Sequence, residues 1–229
     1  MTDHSIMELE PRPALRSADG PRRGPGLRNL AKRAFDVCVA ATLLIILAPT
    51  MALIAIVIRR QSDGPVLFGH ERVGLNGESF KCLKFRTMRV DAAEALADLL
   101  ATDAEARAEW ESCRKLKEDP RVLGRLGHFL RCSSLDELPQ LLNVLRGDMS
   151  LVGPRPVTEE ELDRYGASRR HYLSVRPGVT GPWQVGDRND CSFDERVSQD
   201  RNYVMHGGLG TDVSILLRTL AIPFRGSGY

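Results

Sequence analysis

The most prominent pattern in the chain is an uncharged apolar run from Val37 to Ile58. As a straight helix, about 22 residues extend roughly 30 Å, the thickness of a bilayer core. A cleaved signal peptide is disfavoured, because a long leader precedes the run and Arg59-Arg60 follows it in place of a small-residue cleavage site. The pattern predicts a helix that stays attached and contacts a membrane.

Two features leave the path of this helix open. Pro49 lies mid-run, where proline removes a backbone hydrogen bond, so a bend is expected. Basic residues lie on both flanks: Arg28, Lys32 and Arg33 before the run, Arg59 and Arg60 after it. Because Lys and Arg mark the cytoplasmic end of a span, a helix marked at both ends can enter and leave by one face. The alternative is a Pro-kinked span, which the segment by itself favours.

Beyond this run the pattern predicts a small β element. Residues 65–68 and 79–85 have the composition of short strands, and Asn76-Gly77 between them is typical of a hairpin turn. Residues 91–118 are rich in Ala, Leu and Glu, which predicts one or two solvated helices that end at Asp119-Pro120.

Near the C-terminus, apolar residues recur at helical spacing: Val213, Leu216, Leu217 and Leu220. This helix turns its apolar face either to the membrane interface or to the protein core. At the other end, residues 1–27 are rich in Pro, Gly and Arg without apolar periodicity, which predicts a disordered basic leader.

Composition narrows the function classes. The net charge is +2, from 32 basic and 30 acidic side chains, too balanced for a protein whose main partner is nucleic acid. The five cysteines form no CxxC pair, which disfavours both a disulfide framework and a zinc site and fits a reducing compartment.

Candidate chemistry is concentrated between Arg131 and Pro156. Read structurally, Ser134-Leu-Asp-Glu137 is a capping box at a helix start, and Pro139 fits the first helical turn. Read chemically, the acids Asp136 and Glu137 have three arginines near them in sequence: Arg131, Arg146 and Arg155. Guanidinium groups suit phosphate contacts, one carboxylate can attack phosphorus, and its neighbour can hold a divalent cation.

At this point a family resemblance is apparent. Its motifs follow one another along the chain as Lys32-Arg33-Ala-Phe-Asp36, Lys84-Phe-Arg86-Thr-Met88, Ser134-Leu-Asp-Glu-Leu-Pro-Gln140, Asn143-Val-Leu-Arg-Gly-Asp-Met-Ser-Leu-Val-Gly-Pro-Arg-Pro156 and Arg176-Pro-Gly-Val-Thr-Gly181. From about Leu30 to Tyr229 the chain resembles the bacterial sugar transferase family, small monotopic phosphoglycosyl transferases that initiate exopolysaccharide synthesis.

The resemblance implies an α/β, mostly helical monotopic membrane protein. Its parts would be a re-entrant helix over residues 28–60 hinged at Pro49, a small β-hairpin element, interfacial amphipathic helices, and a catalytic domain over 61–229. The expected location is the bacterial inner membrane, with the catalytic domain on the cytoplasmic face. This implication reverses the preference for a span.

The resemblance also implies the reaction. Hexose 1-phosphate would pass from UDP-galactose or UDP-glucose to undecaprenyl phosphate, with UMP as the other product and a covalent phosphosugar on Asp136 between two steps. Membrane lipid and downstream glycosyltransferases are the further expected partners. Galactose is the favoured sugar, although Pro182 and Asp187-Arg-Asn189 depart from the family pattern in the region expected to select it.

By the same resemblance, Asp136 and Glu137 are catalytic, and Glu137 also helps to bind Mg²⁺. The remaining implied residues contact substrate phosphates: Arg131 and Arg155, with weaker support for Lys84, Arg86, Gln140 and Asn143. Two other functions stay open: a metal-dependent hydrolase that delivers the phosphosugar to water, and a catalytically inactive membrane scaffold.

Overall fold

The computed structural model describes residues 27–113, 116, 119–186 and 191–220. Residues 1–26 of the predicted leader lie outside the described residues, as do Asp187-Arg-Asn189 and the C-terminal residues 221–229. The described part is mostly helical with small two-stranded sheets, as predicted.

The apolar run forms one helix, α1, from Leu27 to Gln61, with Pro49 inside it. It is long and apolar enough to cross a membrane by length and composition. Its central residues are the most exposed, among them Ile45 at 77% and Leu53 at 62%. This architecture is compatible with a monotopic membrane protein; the hinge at Pro49 stays a prediction.

The predicted hairpin is confirmed. β1 runs from Leu67 to Val73 and pairs antiparallel with β2, Ser79–Phe85. Asn76 and Gly77 turn the chain with φ angles of 58° and 85°, in the left-handed region that Asn and Gly tolerate best. β1 extends beyond its predicted end at residue 68.

The polar segment after the hairpin forms the two expected helices, α2 (Ala92–Thr102) and α3 (Ala104–Cys113). No described side chain of either helix is buried. α4 follows at Gly124–Ser133, and a 3₁₀ turn at Leu135–Glu137 leads to α5, Gln140–Arg146.

The C-terminal half wraps around a short parallel sheet of β3, Ser150–Val152, and β4, Gly178–Thr180. Between these strands lie two short helices, α6 (Glu159–Asp163) and α7 (Arg169–Leu173). α8 (Phe193–His206) and α9 (Leu209–Thr219) complete the described fold.

Both halves of α1 pack on this body. Ala40 is fully buried against a core that includes Val144 and Ile215. In the other half, Ile58 is buried against a second core with Phe85 and Leu130.

A buried network of charges fastens the start of α1 to the body. The Lys32 ammonium lies 3.0 Å from Asp212 of α9 and 3.5 Å from Asp36. The Ser150 hydroxyl donates to Asp36 at 2.7 Å, and the Tyr203 hydroxyl donates to Asp212 at 2.6 Å. Asp36 and Asp212 are almost fully buried, so their charges depend on these partners.

We therefore expect Asp36→Asn to lower the free energy of unfolding by about 2 kcal/mol, because the buried Ser150 hydroxyl and Leu151 N–H lose a charged acceptor and Lys32 keeps only its pair with Asp212. Urea unfolding in detergent micelles measures the change. Asp91→Asn is the control, since Asp91 forms an exposed ion pair with Arg89 and its loss should leave the midpoint almost unchanged. Equal midpoints for wild type and Asp36→Asn would contradict a stabilising role of the network.

Candidate active site

The two adjacent acids lie in the short 3₁₀ turn between α4 and α5. The chain reaches this turn through Ser134, whose φ of 57° places a non-glycine residue in the left-handed region at the end of α4. Its backbone N–H donates to Arg131 O, and its side chain makes no cap hydrogen bond. The capping-box interpretation of Ser134 and Glu137 is therefore wrong; the turn instead directs the acids toward β2.

Lys84 of β2 lies between the two carboxylates. Its ammonium donates to Glu137 Oε1 at 2.6 Å and lies 3.6 Å from Asp136 Oδ2. Asp136 is 7% exposed, whereas Glu137 is partly open to solvent. One cation thus holds two neighbouring carboxylates, which would otherwise repel each other.

The surroundings of Asp136 act on its pKa in opposite directions. Burial raises its pKa to about 6, while the positive charges of Lys84 and Arg131 act to lower it. For Lys84, burial disfavours the charged form, but Glu137 and Asp136 outweigh it and raise the pKa. Asp136 is therefore ionised at neutral pH and only weakly screened by water, which suits a nucleophile.

A small pocket opens beside the acids, lined by Lys84, Glu137, Gln140 and Arg155 among others. Arg155 follows β3 in the Gly-Pro-Arg-Pro segment, and its guanidinium lies 5.6 Å from the centre of the Trp183 ring. The backbones of this segment and of β4 approach so closely that a Cβ on Gly178 would lie 2.1 Å from Gly153 N. Gly153 and Gly178 thereby allow the close approach that sets the position of Arg155 after β3.

The structure thus brings most of the predicted site residues together. Gln140 is buried at the start of α5 and lines the pocket, and Arg131 acts on Asp136 through its charge from the last turn of α4. Arg146 lies exposed at the far end of α5 and is not among the residues that line the pocket.

Arg86 and Asn143 belong to the same sequence motifs as residues that line the pocket, but their side chains bond to other parts of the fold. The Arg86 guanidinium donates to Pro65 O, Ser62 Oγ and Ser62 O, which ties β2 to the end of α1. Asn143 Oδ1 accepts from Leu83 N, and Asn143 Nδ2 donates to Lys81 O and Asp148. Neither residue lines the pocket. A structural role accounts for both, and the geometry gives no support to phosphate contacts by either.

Three further residues line the pocket without having been singled out from the sequence: Arg72, Cys82 and Gln184. Arg72 lies on the same side of the hairpin as Lys84, which only the strand register reveals. Cys82 is buried beneath the pocket, and this burial raises its pKa to about 11, so it is a neutral thiol.

The donor set is compatible with Mg²⁺. No group of three or more His, Cys, Asp or Glu side chains that could hold a metal occurs among the described residues. Mg²⁺ commonly binds through one or two carboxylates together with substrate phosphates. Glu137, the more open of the two acids, supplies such a carboxylate, and it already holds one cation, the Lys84 ammonium.

Comparison with known proteins identifies the family and several relatives of this chain. A family model described as bacterial sugar transferase matches residues 27–226. A UDP-galactose-lipid carrier transferase of Erwinia amylovora is 48% identical over 197 residues, 86% of this chain and 41% of that protein. The exopolysaccharide production protein ExoY of Rhizobium meliloti is 47% identical over 192 residues, 84% of both chains.

A third relative is a UDP-glucose:undecaprenyl-phosphate glucose-1-phosphate transferase of Caulobacter vibrioides. It is 41% identical over 202 residues, which cover 84% of this chain and 69% of that protein. The chain spans about two fifths of the length of the first relatives it matches.

The position of Lys84 predicts how Asp136 titrates. Because the Lys84 charge lowers the Asp136 pKa, Lys84→Met should raise that pKa above its wild-type value near 6. A carbon-13 NMR titration of the aspartate carboxyl groups in metal-free buffer measures the shift. Lys81→Met is the matched control, since Lys81 is exposed on the opposite face of β2. An unchanged titration in Lys84→Met would contradict the coupling.

Proposed function

The chain belongs to the bacterial sugar transferase family, and on this premise we propose that it transfers a hexose 1-phosphate from UDP-galactose or UDP-glucose to undecaprenyl phosphate. The products would be undecaprenyl-diphospho-sugar and UMP, in the first step of exopolysaccharide synthesis. The observation that carries the proposal is the buried Asp136 carboxylate, held by Lys84 beside a pocket lined with basic side chains.

The proposed reaction has two displacements at one phosphorus. In the first, an Asp136 carboxylate oxygen attacks the β-phosphorus of the donor, and the bond from that phosphorus to the bridging oxygen breaks. The electron pair leaves on the bridging oxygen, which departs with UMP. In the second, a phosphate oxygen of undecaprenyl phosphate attacks the same phosphorus, and the bond to Asp136 breaks to restore the carboxylate.

The neighbours of Asp136 supply positive charge for these steps. Lys84 and Arg155 line the pocket, and Arg131 lowers the Asp136 pKa from the end of α4. Charge-assisted hydrogen bonds from such groups bind phosphate oxygens and offset the negative charge brought close to Asp136. Glu137, with substrate phosphate oxygens, would hold Mg²⁺, which when bound supplies further charge neutralisation at the phosphates.

For the donor sugar, UDP-galactose is the first candidate. One relative is described as a UDP-galactose-lipid carrier transferase and another as a glucose-1-phosphate transferase, so both hexoses occur among similar proteins. Trp183 is buried beside the pocket-lining Gln184, with the guanidinium groups of Arg155 and Arg196 near its ring.

We further propose that α1 enters and leaves the membrane by the cytoplasmic face. The start of α1 is bonded to the body through Arg33, which donates to Val144 O at 2.6 Å. The end is bonded to it through Ser62 and Arg86, just after Gln61. Contacts between one body and both ends of the helix support a path in which both ends lie on one side and the exposed apolar middle enters the lipid.

The last helix extends the proposed membrane contact. α9 buries Ile215 and Asp212, whereas an apolar stripe on its other side is exposed: Leu209, Val213, Leu217 and Leu220. These positions are three or four residues apart and therefore form one face of a helix. Of the face predicted from the sequence, Leu216 packs against the core instead, and we propose that the exposed stripe lies at the membrane interface.

The reaction is tested by the release of UMP. Detergent-purified protein with Mg²⁺, undecaprenyl phosphate and UDP-galactose or UDP-glucose should release UMP, and Asp136→Asn should reduce the rate by at least about a thousandfold because the nucleophile is lost. Asp163→Asn, an exposed acid that pairs with Arg169, is the control and should retain the wild-type rate. Wild-type rates in Asp136→Asn would contradict the covalent route.

Omitting the lipid separates the competing functions. The proposal predicts about one UMP per active enzyme and then a stop, since the phosphosugar waits on Asp136. Continuous UMP release with free sugar phosphate would favour the hydrolase. No UMP from any UDP-sugar, with folded protein, would favour the scaffold.

Cysteine labelling tests the path of α1. Asn29→Cys and Gln61→Cys place single thiols at exposed positions near its two ends, in a background without the native cysteines. A membrane-impermeant maleimide should label both from the cytoplasmic side of inverted vesicles and neither from the outside of intact cells. Labelling of the two thiols from opposite sides would show a span and contradict the proposal.

A further inference from the structure

Arg72 faces the pocket from the first strand of the hairpin. In the antiparallel register Arg72 lies opposite Phe80, and Phe68 lies opposite Lys84. Directly opposed residues, and every second residue along each strand, share one face of a sheet. Arg72, Cys82 and Lys84 therefore project from the same face, and all three line the pocket.

The Arg72 guanidinium makes only a long ion pair with the described side chains. Among the residues that the structure describes, its one ion pair is with Glu161, at 3.7 Å, longer than a hydrogen bond. The same Glu161 oxygen already accepts from Thr158 N at 2.9 Å in the capping box of α6. The Arg72 side chain is 20% exposed and lines the pocket, so a ligand can reach its donors.

The surrounding charge also favours an anion. Burial lowers the Arg72 pKa, Glu161 raises it, and the nearby positive charge of Arg155 lowers it further. Three cations line the pocket, Arg72, Lys84 and Arg155, and Lys84 is already engaged by the two acids. Two guanidinium groups that repel each other across a pocket both gain from a phosphate placed between them.

The position of Arg72 indicates which phosphate this is. Asp136 lies beside Lys84, although Asp136 is not itself among the residues that line the pocket. The backbone of Arg72 lies opposite Phe80, which is four residues before Lys84 along β2, a separation of about 13 Å at 3.3 Å per residue. The Arg72 side chain therefore extends to the pocket from a backbone position remote from the nucleophile, whereas the phosphorus under attack must lie beside Asp136.

We propose that Arg72 binds the donor phosphate that does not react, the one that leaves with UMP. The inference rests on the proposed function. When the bond from the β-phosphorus to the bridging oxygen breaks, its electron pair adds negative charge to the departing phosphate. A guanidinium beside that phosphate stabilises the added charge. Glu161 holds the arginine loosely until the phosphate is bound.

Binding of UMP tests this role without catalysis. We expect Arg72→Gln to raise the Kd for UMP by on the order of tenfold to a hundredfold, as for the loss of charge-assisted hydrogen bonds. Arg72→Lys should recover part of the loss, because it keeps the charge without the fork. Any weak binding of uridine, which lacks the phosphate, should not change. Isothermal titration with the detergent-solubilised full chain gives these constants.

Glu161→Gln is the matched control. Glutamine can keep the capping box of α6 but not the ion pair with Arg72, so this variant should bind UMP as the wild type does. A similar loss of UMP affinity in Glu161→Gln would overturn the proposed role of Arg72. An unchanged Kd for UMP in Arg72→Gln, with the wild-type melting temperature, would do the same. Neither result would contradict the proposed function. A wild-type chain that binds no UMP and releases none from UDP-sugars would instead overturn the proposed function, and this inference with it.

Discussion

The site depends on one cation that satisfies two adjacent, partly dehydrated carboxylates. Asp136 and Glu137 are neighbours in sequence, and burial of Asp136 makes its charge costly. Lys84 offsets this cost from a different element of the fold, the second strand of the hairpin. If the hairpin moved away from the 3₁₀ turn, the two carboxylates would lose Lys84 as their counter-ion. The fold must therefore hold these two elements together firmly.

α5 provides that connection and extends it to the membrane helix. Its first residue, Gln140, lines the pocket, and one turn later the Asn143 side chain bonds to the backbone of β2 beside Lys84. The carbonyls of Val144 and Leu145 then accept hydrogen bonds from Arg33 of α1. One short helix thus contacts the pocket, the hairpin and the start of α1.

The sequence could predict the parts whose signal is local. The apolar run, the hairpin with Asn76-Gly77 and the polar helices after it depend on spacing along the chain, and the structure contains all three. Predictions from local motifs were wrong where tertiary contacts determine the local structure. Among the described residues the pattern Ser/Thr-x-x-Glu occurs at Thr102, Ser134, Thr158 and Ser192, yet only the last two form capping boxes; Ser134 has a left-handed φ of 57°, and Glu137 pairs with Lys84.

Likewise, motif membership could not separate residues that face the pocket from those that brace it. Arg86 and Arg155 both belong to motifs of the family, but Arg86 donates to the end of α1 and Arg155 lines the pocket. Arg86, one residue beyond β2, donates back to Ser62 after α1, whereas Arg155 follows β3 where Gly153 and Gly178 approach closely. Arg72 lay outside the residues selected from the sequence, since its meaning appears only when the strand register is known.

The central claim is that Asp136 carries the phosphosugar, and peptide mass spectrometry tests it most directly. Wild-type protein is mixed with UDP-galactose and Mg²⁺ without lipid, quenched in acid and digested. The account predicts a hexose-phosphate adduct on the peptide that contains Asp136, which disappears when undecaprenyl phosphate is added before the quench. An adduct on another residue, or UMP release without any adduct, would contradict the account.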